Sequence, residues 1–113
     1  MVSLDTIRKQ ALILEGVEQC PHFEKISFRV KNKIFITVDT RANVAVLKLN
    51  EIDQSVFSEF DCSAIYPVPG AWGRQGWTMF DLRKVRKDLF MDAFITAYCN
   101  VAPAKFSSKY RIQ

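Results

Sequence analysis

From Lys25 onward the apolar residues stop recurring every three or four positions and begin to alternate, and the links between alternating runs shrink to two or three residues. Ile26, Phe28 and Val30 alternate with Ser27 and Arg29, which is the period of a strand with one buried face. Lys31-Asn32 then reads as a turn, because asparagine is among the few residues that accept positive φ. The next run holds Ile34, Ile36, Thr37, Val38 and Thr40, a density of β-branched side chains that suits a strand. Arg41, Ala42 and Asn43 turn the chain again, and residues 44–49 supply a third strand. Links this short cannot carry a parallel crossover, so the three strands form an antiparallel meander.

The segments on either side read as helices. Ser3 caps a first helix, Asp5 suits its positive end, and Leu4, Ile7, Ala11 and Leu14 form one apolar stripe. Gly16 closes that helix, and Cys20-Pro21 is expected in a connection, since proline donates no amide. Asn50 caps a second helix over residues 51–60, with Ile52, Val56, Phe57 and Phe60 expected on its inward side. Residues 63–76 carry Pro67, Pro69, Gly70, Gly73 and Gly76 and read as a loop or an interrupted edge strand. A further strand follows over 77–82, and then a helix over about 86–100 that is apolar on most sides. Pro103 ends it, leaving a short turn or helix over 104–110. A chain of 113 residues with no linker or repeat is one domain. Hairpins without βαβ units make the class α+β: an antiparallel sheet, the meander plus one or two further strands, with helices packed on one face.

The net charge is +4, too small to imply a polyanionic partner by itself. Its distribution is more informative. Residues 25–48 carry Lys25, Arg29, Lys31, Lys33, Arg41 and Lys48 against Asp39 alone. Residues 51–61 carry Glu51, Asp53, Glu59 and Asp61 and no cation, while residues 74–87 return Arg74, Arg83, Lys84, Arg86 and Lys87 against Asp81. Lys105, Lys109 and Arg111 follow near the end. Cations at hairpin tips reach phosphates as a wing does, so Lys31, Lys33, Arg41 and Lys48 are candidate nucleic-acid contacts. The competing reading is protection of exposed strand edges. Trp72 lies in the irregular stretch beside Arg74 and close to Trp77 and Tyr66. It is either an aromatic cover for one end of the sheet or, with Trp77 and Tyr66, a stacking platform or partner anchor.

Other chemistry finds little support. His22 is the one histidine, and Cys20 is the nearest nucleophile, which falls short of an oriented nucleophile–base pair. Cys20, His22, Cys62 and Cys99 lack the paired spacing of a zinc site. Gly70, Gly73 and Gly76 precede a strand rather than a helix, so no phosphate cradle is expected. Glu51/Asp53 and Glu59/Asp61 flank a helix as caps and surface charges. No catalytic residue, metal or cofactor is therefore expected. No apolar run approaches the ~18 residues of a membrane span. Asp5, Arg8 and Lys9 interrupt the start where an export signal would be apolar. The expected setting is the cytoplasm, with the three cysteines reduced.

The chain resembles the MmcQ/YjbR-like family of small bacterial proteins over nearly its whole length. The resemblance rests on ALILEGVEQCPHF (residues 11–23), FRVKNKIFITV (28–38) and VLKLN (46–50). It is strongest in YPVPGAWGRQGWTMFDL (66–82) and is joined by AYCNVAP (97–103). It implies a compact α+β fold related in shape to secretion chaperones. It also implies a double-wing DNA-binding role, in which two β-hairpins carry basic tips and contact chiefly the backbone phosphates. That role falls here on Lys31, Lys33, Arg41 and Lys48 around the meander, and on Arg74 beside Trp72 and Trp77. Where many relatives carry a proline before the last helix, this chain has Arg86. The resemblance brings no catalytic residue. The expected partner is double-stranded DNA; the alternative is a protein- or peptide-binding module, through a protein partner or self-association.

Overall fold

The computed structural model describes residues 2–110, so Met1 and Arg111 lie outside the described residues. The meander is present as β2 (Lys25–Val30), β3 (Lys33–Asp39) and β4 (Val44–Lys48), all antiparallel. Lys31 and Asn32 both take positive φ, 51° and 65°, the geometry of a tight two-residue hairpin turn. β1 (Val17–His22) precedes them and β5 (Ile65–Pro67) and β6 (Trp77–Asp81) follow. The six strands form one sheet in the order β1-β2-β3-β4-β6-β5, with every pairing antiparallel.

Two expectations are corrected here. Cys20-Pro21 is not a connection: it lies within β1, an edge strand whose Pro21 stands opposite Ile26. Edge strands tolerate proline because one side of each needs no amide donor. The other edge strand, β5, also carries a proline, Pro67.

The helices are α1 (Leu4–Ile13), α2 (Glu51–Phe60), α3 (Ala71–Arg74), α4 (Lys87–Val101) and α5 (Ala104–Ser107), followed by a 3₁₀ turn over Ser108–Tyr110. Ser3 caps α1 by accepting from the Thr6 amide at 3.1 Å, and Asn50 caps α2 by accepting from Asp53 at 2.7 Å. The apolar stripe of α1 is inward, with Ile7 and Ala11 fully buried. On α4, Phe90, Ala93, Phe94, Ala97 and Tyr98 are fully buried, with Phe94 and Tyr98 against Phe35 of β3 at ring separations of 5.6 and 5.7 Å. Tyr98 Oη donates to the Glu15 carbonyl at 2.7 Å, which ties α4 to the turn after α1.

α2 is the second correction. Ile52 and Phe60 are 75% and 71% exposed and Val56 is also exposed; of the expected inward set only Phe57 packs against the core. The helix is instead fixed by Gln54, whose Nε2 donates to the Gly73 carbonyl (2.9 Å), the Trp77 carbonyl (3.2 Å) and Thr78 Oγ1 (3.1 Å). A polar anchor has taken the inward direction that the apolar pattern suggested for its neighbours.

Candidate nucleic-acid interface

Strand alternation divides the sheet into a covered face and an open face. Val38, Ala45, Phe80 and Ile65 form one row of the covered face, all buried. One residue along each strand, Thr37, Val46, Met79 and Tyr66 form a row on the open face. The three long helices put their packed side chains on the covered face. The open face is left with a groove of about 990 Å³. Ile34, Thr37 and Val46 lie along it, Trp72, Trp77 and Val68 line one end, and Phe23, Lys25 and Arg41 line the other.

α3 builds the tryptophan end. Trp72 sits on it at 61% exposure and meets the half-buried Trp77 edge-on, with ring centroids 6.3 Å apart. Two glycines make this close turn possible. A Cβ on Gly73 would lie 1.9 Å from the Val68 carbonyl oxygen, and one on Gly76, at φ +102°, would lie 1.8 Å from that of Leu49. Trp72 is thus no buried cover for the sheet; most of its ring faces solvent. Tyr66 is on the same face, 39% exposed, opposite Met79.

The candidate cations do not form one surface. Arg41 lines the groove. Lys48 stands opposite Trp77 on the open face, its ammonium 5.7 Å from the Trp77 ring centroid and donating to the Gln75 carbonyl. Arg74 is exposed on α3, two residues after Trp72. Lys31 and Lys33 instead turn toward the helix side. A bulge is the cause: the register shifts between Phe28 and Arg29, which face Ile36 and Ile34. Phe35 and Ile36 are both buried in the core, so Ile34 moves to the open face and Lys33 pairs with the core residue Val30.

Lys31 nevertheless finds company. The ammonium of Lys31 lies 5.6 Å from the Phe106 ring centroid and that of Lys105 lies 5.3 Å from the same ring. Lys109 is nearby in sequence, over Tyr110 at 5.5 Å and 3.9 Å from Glu15. The tip of the β2–β3 hairpin and the C-terminal segment therefore make one basic end. Sequence reasoning noted Lys105 and Lys109 without joining them to the hairpin, counted Lys25 among the cations without placing it at a site, and missed Phe23. Phe23 becomes visible only once residues 17–22 are read as a strand, because it then occupies a two-residue hairpin loop. The cation at Arg86 is engaged locally, with Nε 3.1 Å from Asp88 Oδ1. That hydrogen bond holds the Asp88 carboxyl below its usual range.

Cys20 and His22 share the open face of β1. Among the described residues no hydrogen bond joins them, and the His22 ring meets Phe23 edge-on at 5.0 Å. Among the described residues no three His, Cys, Asp or Glu side chains gather as a metal site would, and no helix is long and apolar enough to cross a membrane.

The fold is that of a single α+β sheet-and-helix domain with one uncovered sheet face, the DUF419 (MmcQ/YjbR) type. It is shared with the crystal structure of Deinococcus radiodurans protein DR2400, which carries the family-model domain DUF419, at a TM-score of 0.78 and 17% sequence identity, covering 88% of this chain and 78% of that one. No family model and no curated protein matches the chain by sequence.

Proposed function

We propose that the protein is a non-enzymatic nucleic-acid-binding protein that grips DNA chiefly through backbone phosphates, using the basic end formed by the β2–β3 hairpin tip and the C-terminal segment. One observation carries this reading: the ammonium groups of Lys31 and Lys105, distant in the chain, lie over the same Phe106 ring. Cations gathered at one ring, with Glu15 as the ion-pair partner of Lys109, suit a polyanion better than a solvated face. The second hairpin tip, with Arg41, is at the opposite end of β3, about 20 Å away along seven extended residues. The two tips therefore act at separate places, and the phosphate grip falls on Lys31, Lys33, Lys105 and Lys109.

Replacing Lys31, Lys33 and Lys105 with glutamate is expected to abolish binding of a DNA duplex at moderate salt while leaving the thermal midpoint unchanged. With about four phosphate contacts, the wild-type log Kd rises with log salt at a slope of about 3.6. Undiminished binding by the triple variant sinks the reading.

A second reading, a protein-binding module, is favoured by the stripe of Ile52, Val56 and Phe60 exposed along α2. Self-association through this stripe predicts a dimer in light scattering that Phe60→Glu dissociates. A monomeric wild-type chain removes it.

A further inference from the structure

The open-face groove displays aromatic surface that folding does not account for. Phe23 is 94% exposed at the tip of the β1–β2 hairpin, at φ 60°, a conformation in which glycine is favoured. At the other end Trp72 presents most of its ring, with Trp77 beside it. Each aromatic has a cation for a neighbour: Lys25 and Arg41 line the groove with Phe23, Arg74 shares α3 with Trp72, and Lys48 lies over Trp77. Within the lining itself the charges balance, Lys25 and Arg41 against Glu24 and Asp39. Asp39 Oδ1 is occupied by the turn, accepting from the amides of Arg41 and Ala42 at 3.0 and 3.1 Å. The floor is apolar, with Ile34, Val46 and Val68. Such a groove suits neutral planar rings whose linking charges fall on its margins.

We infer that this groove takes the unpaired bases of a single-stranded nucleic acid, stacked on Trp72 and Phe23, with the flanking phosphates on Lys25, Arg41, Lys48 and Arg74. The inference rests on the nucleic-acid reading above and deepens it. The basic end holds the phosphates of any strand, and the groove distinguishes unpaired from paired bases. Paired bases offer only their edges in the grooves of a duplex, whereas ring-on-ring stacking needs a free face.

Both tryptophans of the chain line the groove, so their emission reports on it directly. The probes are a strand of about 12 thymidines and a mixed-sequence duplex of equal length. The thymidine strand is expected to quench tryptophan emission and to bind about tenfold more tightly than the duplex. Trp72→Ala and Phe23→Gly are each expected to weaken single-strand binding roughly tenfold and to leave duplex binding unchanged. Phe23→Gly keeps the readout safe from misfolding, because glycine suits its backbone and the thermal midpoint is expected not to fall. Equal binding of both forms, insensitive to both variants, overturns the groove while leaving the basic end in place. Binding of neither form overturns both.

Discussion

On the covered face of the sheet Phe28, Ile36, Leu47 and Phe80 have no exposed surface. On the other face, one residue along the same strands, Thr37, Val46 and Met79 remain half exposed, and Trp72 and Phe23 stand out at the two ends of the groove they line. The backbone and its hydrogen bonding are common to both. What differs is the set of partners: three long helices on one side and, on the other, a four-residue helix at one end. Stability therefore belongs to one set of alternating residues, while the other set keeps part of its apolar and aromatic surface in solvent.

This contrast is sharpest in truncation. Phe94→Ala removes a ring packed against Phe35 and Phe90 beneath the sheet and is expected to cost about 4 kcal/mol in urea denaturation. Met79→Ala, half buried on the open face, is expected to cost less than about half as much. Similar losses for the two would erase the distinction between the faces.

Alkaline pH probes the covered side through Tyr98. Burial, with smaller contributions from the nearby Tyr110, Glu15 and Cys99, pushes Tyr98 up to about 12. In the unfolded chain a tyrosine ionises near 10. The unfolded state therefore releases its proton first. The contribution of Tyr98 to stability is complete below pH ~10 and is lost as pH rises through its folded value. Tyr98→Phe is expected to flatten that alkaline decline in chemical denaturation, at the expense of the hydrogen bond to Glu15. An unchanged decline would place its origin elsewhere.

The smallest effect has the opposite sign. Phe23→Gly relieves a positive φ and is expected to stabilise the protein by about 1 kcal/mol, seen as a modest rise in thermal midpoint. A destabilised variant would mean that the exposed ring has a packing role.

The meander was legible because alternation and two-residue links leave one antiparallel solution, and the caps at Ser3 and Asn50 were legible because short polar side chains at those positions have a specific donor to satisfy. The edge strand β1 was hidden by Pro21, whose missing amide matters only if both sides of the strand are paired. The orientation of Lys31 and Lys33 was hidden by the bulge, since a single inserted residue at Phe35 puts the side chains before it out of phase with those after it and leaves no mark in composition. Trp72 and Trp77 were legible as a pair, but the four-residue helix that presents Trp72 is too short to show a period. The basic end joins residues more than seventy positions apart in the chain, a proximity that no local pattern encodes.

The prolines at the two borders of the sheet carry a last consequence. Pro21 and Pro67 sit in β1 and β5, the outermost strands. Each removes a hydrogen-bond donor along the rim, where an incoming extended peptide would otherwise zip on as a seventh strand. Growth by lateral strand addition, whether into a shared intermolecular sheet or a fibril, is thereby disfavoured at both borders.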